Sequence, residues 1–354
     1  MRVIQLIDSL APGGAERMAV NYANVLSDKV SFSGLVATRK EGDLKSQLFP
    51  GVSYLFLNRN STLDLKALFK LRQYVITHRV SFVHAHSSSF LLAVLLKIVY
   101  PKIKIVWHDH YGNSEFLKIR KKRVLLLGSL FFYRIITVNE LLQKWAAQQL
   151  FCKNVSYLPN FVLLDKNRES IQLKGESGKR ILCLANLRPQ KNHLLLLEAA
   201  KKIKVFAPEW TFHLIGKDFE DDYSKTIHQK IVEEGLQETV FIYGASNAVV
   251  SAIQQSTIGV LTSLSEGLPV SLLEYGYFGL PVIATAVGDV PKVLDAENGV
   301  LIPSDDLFLL VQALEKVIRD IHFRKAIGEQ FKKDIHSHYT KEPVIKKYLE
   351  GFNL

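Results

Sequence analysis

Two glutamates separated by seven residues, Glu266 and Glu274, have the clearest potential for chemistry in this sequence. An apolar run ends near Thr262, and Pro269 then suits the first turn of a helix, where a missing N–H is tolerated. The start of a helix presents free backbone N–H groups and a partial positive charge, so this one can bind an anion. Two carboxylates beside an anion site suit a ligand that carries both a phosphate and vicinal hydroxyls, such as a sugar nucleotide.

A plainer interpretation treats Glu266 as a helix-start charge and Glu274 as part of a solvated helix face. For a lone glutamate that interpretation is the more common one. Here Glu274 is expected about one and a half turns inside the helix, beside the apolar Leu273 and Tyr275. Full exposure of its carboxylate is therefore less expected, and the binding interpretation is favoured for the pair.

A basic loop follows the apolar run 181–185 and reads NLRPQK from Asn186 to Lys191. When a sugar leaves a nucleoside diphosphate, negative charge grows on the departing phosphate, and a cation already in place stabilises that transition state. Lys191 is the main candidate for this role, and Asn192 can cap the helix that follows. Arg188 either adds a second positive charge or is a surface residue beside a lysine that acts alone.

Two pairs of histidines, His84 with His86 and His108 with His110, each place two imidazoles on one face of a strand or its extension. This spacing is compatible with zinc or another transition metal. Neither pair has a clear third and fourth ligand in the sequence around it. We therefore predict no metal site, and a structural role for His84 and His86.

These residues belong to a chain in which short strand-like runs alternate with helical periodicity. The alternation predicts an α/β protein with parallel sheets, in which ligands bind beyond the carboxyl ends of the strands. Helices are expected at 192–203, 306–318 and 342–350, the last with an apolar stripe. Strands are expected at residues 2–7, 33–37, 54–57, 82–85, 104–107, 135–138, 155–158, 180–185, 211–215, 240–243, 259–262, 282–285 and 299–302.

The polar segment 165–179 contains glycine and serine and is the best candidate for a linker. We expect a first domain at 1–164, a second at 180–335 and a C-terminal segment at 336–354. Two doubly wound domains joined in this way would leave a cleft between them.

The composition limits the class of protein. With 354 residues, 48% of them hydrophobic and 22% charged, the chain is typical of a globular protein of about two domains. Its net charge of +11 favours anionic partners such as phosphorylated metabolites or a membrane surface. No aromatic-interleaved platform or recognition-helix motif accompanies the charge, which argues against nucleic acid. Cys152 and Cys183 lie in apolar runs and predict buried thiols in a reducing compartment, here the cytoplasm.

A basic run, Lys118–Arg123, is followed directly by the apolar residues 124–132. A basic rim beside apolar residues suits adsorption on anionic lipid. A basic helix end followed by buried core is an equally good interpretation. The apolar run is well short of the roughly 20 residues that a membrane-spanning helix needs.

The stretch SEGLPVSLLE, followed by GLPVIATAVGDVP, resembles the retaining glycosyltransferases of family 4, which have the GT-B fold. Further matches occur in the family's order: GGAE at 13–16, a histidine at 108, PN at 159–160 and PQKN at 189–192. The resemblance covers nearly the whole chain. It implies two Rossmann-like, doubly wound α/β domains facing across a cleft, with a terminal helix that crosses back to the first domain.

The resemblance also implies roles for the site residues. Glu274 would bind the ribose hydroxyls of the donor, and Glu266 would hold hydroxyls of the transferred sugar near the reacting carbon. Backbone N–H groups of Gly267 and Leu268 would bind the distal phosphate, and Lys191 the diphosphate. The implied catalytic residues are Glu266, Lys191 and His108, the last through a hydroxyl of the donor sugar. The donor side would also include Asn186, Arg188 and Gly14, and the acceptor side Gly13, Asp109, His110 and Tyr111.

The activity implied is retaining transfer from a UDP- or GDP-sugar, without cofactor or metal, to a saccharide acceptor. A lipid-linked acceptor at the inner face of the cell membrane would match bacterial capsule, exopolysaccharide or lipopolysaccharide synthesis. Two positions depart from the family pattern: Asn186 replaces the usual arginine, and Lys292 a frequent glutamate. These departures keep open a non-catalytic subunit of a transferase complex. A nucleotide-sugar epimerase is a second alternative, because such enzymes also use two facing Rossmann-like domains.

Overall fold

Two parallel β-sheets, each flanked by helices, carry the fold of this chain. The computed structural model describes residues 1–163 and 169–352. Contacts divide the chain into a first unit of residues 1–163 and 341–354 and a second unit of residues 164–340. Residues 165–168 of the expected linker lie outside the described part, whereas the later residues Ile171 and Leu173 hydrogen-bond to Ser251 and Gln255 of the second unit.

The expected alternation of strands and helices is confirmed, and every predicted strand is present within three residues of its expected ends. The strands are β1 Arg2–Ser9, β2 Phe32–Lys40, β3 Ser53–Phe56, β4 Phe82–His86, β5 Lys104–Asp109, β6 Phe132–Thr137, β7 Val155–Tyr157, β8 Arg180–Leu184, β9 Thr211–Ile215, β10 Val240–Ile242, β11 Ile258–Leu261, β12 Val282–Thr285 and β13 Val300–Ile302.

The helices alternate with these strands along the chain. The α-helices are α1 Gly14–Ser27, α2 Leu65–Thr77, α3 Phe90–Val99, α4 Arg123–Gly128, α5 Glu140–Gln149, α6 His193–Phe206, α7 Asp222–Glu233, α8 Val249–Gln254, α9 Val270–Phe278, α10 Leu307–Arg319, α11 Ile321–His338 and α12 Lys341–Glu350. Short 3₁₀ helices span Asp43–Gln47, Ser87–Ser89, Ser114–Ile119, Ser129–Phe131, Pro189–Lys191 and Val290–Lys292.

Each sheet reverses its strand order once. The first sheet has the order β3-β2-β1-β4-β5-β6-β7, and the second β10-β9-β8-β11-β12-β13, with parallel pairing throughout. The reversal falls between β1 and β4 in the first sheet and between β8 and β11 in the second. Neighbouring loops diverge there, which opens a crevice where ligands of such sheets bind.

The apolar strand runs are explained by burial on both faces of each sheet. Strands β8 and β9 are buried along their whole length, and α6 and α10 cover one face of that sheet. Both cysteines are buried free thiols, as predicted. Burial raises the pKa of the Cys183 thiol to about 12, so it behaves as a small apolar core residue.

Helix ends follow the expected rules with one correction. Gly279 ends α9 in the left-handed conformation, at φ +74°, directly before Pro281. Asn192 precedes α6, but the prediction that its side chain caps the helix is wrong. Its own backbone is left-handed, at φ +50°, and its amide instead donates to Asp305 Oδ1 at 3.0 Å. The first N–H of the helix, that of His193, donates to the Tyr223 hydroxyl at 2.8 Å.

Candidate active site

The strand reversal of the second sheet brings together the basic loop and the first glutamate. The loop after β8 ends in the 3₁₀ turn that holds Lys191, and the loop after β11 holds Glu266. The two loops are tied by hydrogen bonds from Thr262 Oγ1 to the Lys191 carbonyl at 3.0 Å and from the Leu264 N–H to the Gln190 carbonyl at 2.8 Å. Their relative position is therefore fixed by backbone and not by the charged side chains alone.

Lys191 and Glu266 form an ion pair, with 2.6 Å between Lys191 Nζ and Glu266 Oε1. The Ser263 hydroxyl also donates to Glu266 Oε1 at 2.6 Å. Glu266 is only 4% exposed, while one fifth of the Lys191 side chain reaches solvent. A charge-assisted pair of this kind holds the ammonium group at a defined point beside the strand ends.

The start of α9 lies directly after this pair. Gly267 and Leu268 are buried, and the Gly267 carbonyl accepts from the Asp289 N–H at 2.9 Å. Gly288 lets that neighbouring loop approach, since it has φ +57° and a Cβ there would collide with the Glu266 carbonyl. Glu274 is half-buried inside α9, so the expectation that it is not fully solvated is confirmed.

The structure gives Asn186 and Arg188 separate surroundings. Asn186 Oδ1 accepts from the Lys217 N–H at 2.8 Å, so this side chain fastens the end of β8 to the loop after β9. Arg188 is exposed, and its guanidinium lies 4.6 Å from the centre of the Phe219 ring. An arginine that stacks on an aromatic ring keeps its positive charge, and its N–H donors stay available to bind a ligand.

The remaining predicted site residues belong to the first unit. Gly13 and Gly14 form the turn from β1 into α1, where Gly14 is exposed and Gly13 is half-buried in extended backbone. Asp109, at the end of β5, is 1% exposed and receives both Arg120 Nη atoms, at 2.7 and 2.8 Å. Arg120 is in turn 4.3 Å from the rings of Tyr111 and Trp145. Asp109 therefore anchors the segment that follows β5.

A cluster of four histidines joins β4 and β5: His84 and His86 of β4, His108 of β5 and the half-buried His110 directly after β5. His84 Nε2 lies 3.2 Å from His108 Nδ1, and His86 Nδ1 lies 2.9 Å from His110 Nε2. His84, His86 and His108 have no exposed surface. Burial lowers the pKa of these three imidazoles well below the usual value and that of His110 to about 3, so all four are neutral at pH 7.

Two tyrosines that sequence reasoning did not assign complete this cluster. The Tyr348 hydroxyl, from α12, lies 3.1 Å from His84 Nδ1. The ring of Tyr22, from α1, is edge-on to His84 and His108, with centroids 5.1 and 5.7 Å away. The apolar stripe of the terminal helix contained Tyr348, but periodicity alone gives no partner for a hydroxyl.

A potential metal ligand set is present in the same place. The ligand atoms of His84, His86 and His108 all lie within 4.8 Å of one another. Strand pairing places His86 opposite His108, so the structure supplies a third potential ligand that the sequence around each pair does not show. Hydrogen bonds already occupy most of these nitrogens, with His86 Nε2 2.9 Å from Gln5 Oε1. The absence of a bound metal stays a prediction.

Lys292, the second departure from the family pattern, pairs with Asp289 on its own 3₁₀ turn, with 3.1 Å between Nζ and Oδ1. Asp289 is 2% exposed. The lysine thus balances the charge of a buried carboxylate in the loop that packs against Gly267.

The run after the basic segment is not wholly buried core. Leu125 and Gly128 of α4 face inward, whereas Val124, Leu127 and Leu130, spaced three residues apart, face solvent. The six exposed apolar residues here, called the 116–131 surface, are Phe116, Ile119, Val124, Leu127, Leu130 and Phe131. Within the described residues, no helix is both long and apolar enough to cross a bilayer.

Comparison with known proteins agrees with this architecture. Residues 12–166 match the model described as Glycosyltransferase Family 4, and residues 165–334 match the model described as Glycosyl transferases group 1. The solved structure of Anabaena HepE in complex with UDP and glucose superposes with a TM-score of 0.83 at 18% identity, covering 100% of this chain and 99% of that one.

Two curated bacterial relatives match along most of their length. The UDP-Gal:alpha-D-GlcNAc-diphosphoundecaprenol alpha-1,3-galactosyltransferase of Escherichia coli is 26% identical, covering 90% of this chain and 87% of the relative. The GalNAc-alpha-(1->4)-GalNAc-alpha-(1->3)-diNAcBac-PP-undecaprenol alpha-1,4-N-acetyl-D-galactosaminyltransferase of Campylobacter jejuni is 25% identical, covering 100% and 99%. This chain belongs to the family-4 glycosyltransferases and has the two-domain GT-B fold.

Proposed function

We propose that this glycosyltransferase moves a sugar, with retention of anomeric configuration, from a UDP-sugar to a lipid-linked saccharide in bacterial surface-glycan synthesis. The names of the Escherichia coli and Campylobacter jejuni relatives, both acting on undecaprenol-linked saccharides, support the acceptor class. The donor class is supported by the UDP bound to Anabaena HepE, and a GDP-sugar is the second candidate.

The observation that carries this proposal is the Lys191–Glu266 pair at the strand reversal of the second sheet. In the reaction, the bond from the anomeric carbon to the diphosphate oxygen breaks and the acceptor oxygen bonds to that carbon. The acceptor's proton neutralises the departing phosphate. The Lys191 ammonium group stabilises the negative charge that grows on this phosphate. Because Glu266 already holds the ammonium group in place, the site needs little reorganisation in the transition state.

The half-buried Glu274 of α9 is the proposed partner of the ribose hydroxyls. Glu274→Gln removes the charge and keeps the shape. We expect the Kd for UDP, measured by isothermal titration, to rise roughly tenfold or more, as for a lost hydrogen bond to a charged group. Glu315→Gln, on the exposed face of α10, is the matched control and should bind UDP like the wild type. Equal affinity of Glu274→Gln and wild type would remove Glu274 from the donor site.

The transfer itself is tested with purified protein, a panel of UDP- and GDP-sugars and undecaprenyl-diphosphate saccharides, with products identified by mass spectrometry. NMR coupling constants of the new linkage report whether configuration is retained. Activity should survive EDTA, and its loss with rescue by one divalent ion would contradict the proposed metal independence. Conversion of a nucleotide sugar without acceptor would identify an epimerase instead.

We further propose that the enzyme works at the inner face of the cell membrane, with the 116–131 surface against anionic lipid. Ile119 is 79% exposed and Leu127 is 64% exposed, which is a large solvent exposure for apolar side chains. The six residues of the 116–131 surface lie in α4 and in the 3₁₀ turns on either side of it. The exposed basic residues Lys118, Lys121 and Lys122 lie in the same segment. Apolar residues beside lysines complement an anionic bilayer surface.

Flotation with vesicles tests this membrane contact. Leu127→Gln/Leu130→Gln should lower binding to phosphatidylglycerol-containing vesicles roughly tenfold or more, because two leucines lose their burial in lipid. The control is Val205→Gln/Phe308→Gln, which alters two apolar residues of the second unit that are even more exposed than Leu127 and Leu130. An equal loss in both variants, or no binding by wild type, would contradict the proposed surface.

A further inference from the structure

The histidine cluster contains a chain of hydrogen bonds that runs from a tyrosine hydroxyl to a histidine nitrogen with no partner. It starts at the Tyr348 hydroxyl, 3.1 Å from His84 Nδ1, and continues from His84 Nε2 to His108 Nδ1 at 3.2 Å. At the far end, His108 Nε2 is buried and has no hydrogen-bond partner among the described residues. A buried polar atom without a partner is costly and uncommon in a folded protein. Unlike Tyr22, which lies inside α1, His108 lies at the carboxyl end of β5, where ligands of parallel sheets bind, so its free nitrogen points to a ligand atom that completes it.

The other histidines do not compete for this chain. Both nitrogens of His86 are engaged elsewhere, with His110 Nε2 at 2.9 Å and with Gln5 Oε1 at 2.9 Å. His84 and His108, the two imidazoles of this hydrogen-bonded chain, are neutral, so each carries one ring proton. The nitrogen that holds the proton on His84 therefore determines which nitrogen holds it on His108.

The direction of the chain follows from the acidity of its members. A phenol is a stronger hydrogen-bond donor than a neutral imidazole, and an imidazole nitrogen is a stronger acceptor than a phenol oxygen. Tyr348 therefore donates to His84 Nδ1, which leaves the His84 proton on Nε2. That N–H donates to His108 Nδ1, and the proton of His108 is left on Nε2.

We propose that Tyr348 and His84 are positioning residues that keep His108 in the Nε2–H tautomer, so that it donates a hydrogen bond to a hydroxyl oxygen of the sugar substrate. The inference rests on the proposed function for the identity of that substrate. Tyr348 acts through His84 and does not itself contact the sugar.

Two single substitutions in the protein form a matched pair. Tyr348→Phe removes the hydroxyl that starts the chain and keeps a ring that packs on His84 and Tyr22. Tyr22→Phe removes a second buried hydroxyl from the same cluster, but one that has no hydrogen-bond partner among the described residues. The two variants differ in whether a hydrogen bond to a histidine is lost.

The decisive measurement is the protonated nitrogen of His108, read from long-range ¹H–¹⁵N spectra of the ¹⁵N-labelled protein without donor. Wild type and Tyr22→Phe should show Nε2–H, and Tyr348→Phe a shift of population toward Nδ1–H. In transfer assays Tyr348→Phe should lower kcat about fivefold, the loss expected for one neutral hydrogen bond, while Tyr22→Phe keeps wild-type turnover. Should Tyr348→Phe not fold, His84→Phe breaks the same chain and is expected to shift the same population.

Three results would overturn the inference: an Nδ1–H tautomer in the wild type, an unchanged tautomer in both chain-breaking variants, or stoichiometric zinc in the purified protein that is lost on mutation of His84. Because the tautomer is measured without any reaction, an inactive wild type would overturn the proposed function alone. Equal turnover of Tyr348→Phe and wild type, with a shifted tautomer, would overturn the role of the chain in the reaction.

Discussion

Lys191 is proposed to act in catalysis and also forms an ion pair with the buried Glu266, so its removal should affect both turnover and stability. Lys191→Met keeps the alkyl chain but removes the cation, and we expect kcat to fall about 100-fold or more, as when a group that meets transition-state charge is lost. The variant also leaves Glu266, 4% exposed, without its ion-pair partner, which should lower the free energy of unfolding by about 1–3 kcal/mol. Steady-state kinetics and urea unfolding measure the two effects separately.

The control for this variant is an ion pair of similar length elsewhere in the second unit. Lys230 Nζ lies 2.8 Å from Glu198 Oε1, with about a third of both side chains exposed. Lys230→Met should cost less than about 1 kcal/mol and leave kcat unchanged, because solvent screens an exposed pair. If Lys191→Met retained full turnover and lost only stability, Lys191 would be a structural residue.

Gly288 is a residue whose importance is backbone geometry. Its φ of +57° strains any other residue, and a Cβ would collide with the carbonyls of Glu266 and Gly267. Gly235 has a similar φ of +63° but open space around it. We expect Gly235→Ala to lose about 1 kcal/mol of unfolding free energy through strain alone, and Gly288→Ala to lose about 3 kcal/mol or more.

Urea unfolding of both variants gives the comparison, and transfer assays should show reduced kcat only for Gly288→Ala, since its collision displaces Glu266. Equal stability losses at the two glycines would mean that the loop at Gly288 yields easily and does not hold the glutamate.

The sequence identified single site residues where a charged residue follows a predicted strand at a recognisable spacing. Lys191 and Glu266 were both assigned to the site before any geometry was known, and the structure places them in contact. The 2.6 Å pair itself was not predicted, because its members are 75 positions apart in the sequence and only the strand order brings them together. The contact of Tyr348 with His84, 264 positions away, was missed for the same reason. The contact of Asp109 with Arg120, 11 positions away, was missed because it depends on how the segment after β5 folds back on the strand end.

At the scale of elements, the terminal helix α12 is held by its apolar stripe. Val344, Ile345 and Tyr348 are buried, whereas Lys346 and Lys347 between them are exposed, as the periodicity indicated. Arg134 of β6 also donates to the Tyr348 carbonyl at 3.2 Å. The helix therefore completes the core of the first unit.

Removal of residues 341–354 should destabilise that unit. Four buried side chains, those of Val344, Ile345, Tyr348 and Phe352, lose their contacts, so we expect a loss of roughly 5 kcal/mol or more, with partial aggregation of the truncated protein. The control Lys346→Ala/Lys347→Ala changes the same helix on its exposed face and should unfold within about 0.5 kcal/mol of wild type. A truncated protein with wild-type urea midpoint and solubility would show that the helix is dispensable.

Element types were predictable because parallel strands are buried on both faces and alternate with helices of recognisable period. The ends of the elements were less predictable. Strand β2 extends three residues beyond the predicted run, to Lys40, because its pairing with β1 resumes at Ser9 after a register shift. Asn192 shows the limit for helix ends, because a residue with good capping chemistry adopts a left-handed backbone and bonds Asp305.

At the scale of the whole molecule, buried histidines are distributed unevenly between the two units. The first unit holds His84, His86, His108 and His110, and the second holds His193 and His213, whose pKa values burial lowers to about 4. All six are neutral in the folded protein at pH 6 to 7. In the unfolded chain they have the ordinary pKa of about 6.5 and take up protons below it.

The two units should consequently differ in acid stability. Below about pH 6.5 the unfolded state binds more protons than the folded state, so the free energy of unfolding falls as pH falls, by about 1.4 kcal/mol per pH unit for each histidine. With four such histidines against two, the first unit should lose stability about twice as steeply between pH 6 and 5. Trp107 and Trp145 report on the first unit and Trp210 on the second, so urea unfolding of Trp210→Phe at several pH values follows the first unit alone. The matched variant Trp107→Phe/Trp145→Phe follows the second unit. Parallel loss of stability in both units, or a first unit that resists acid better than the second, would mean that the histidine cluster opens and takes up protons without unfolding.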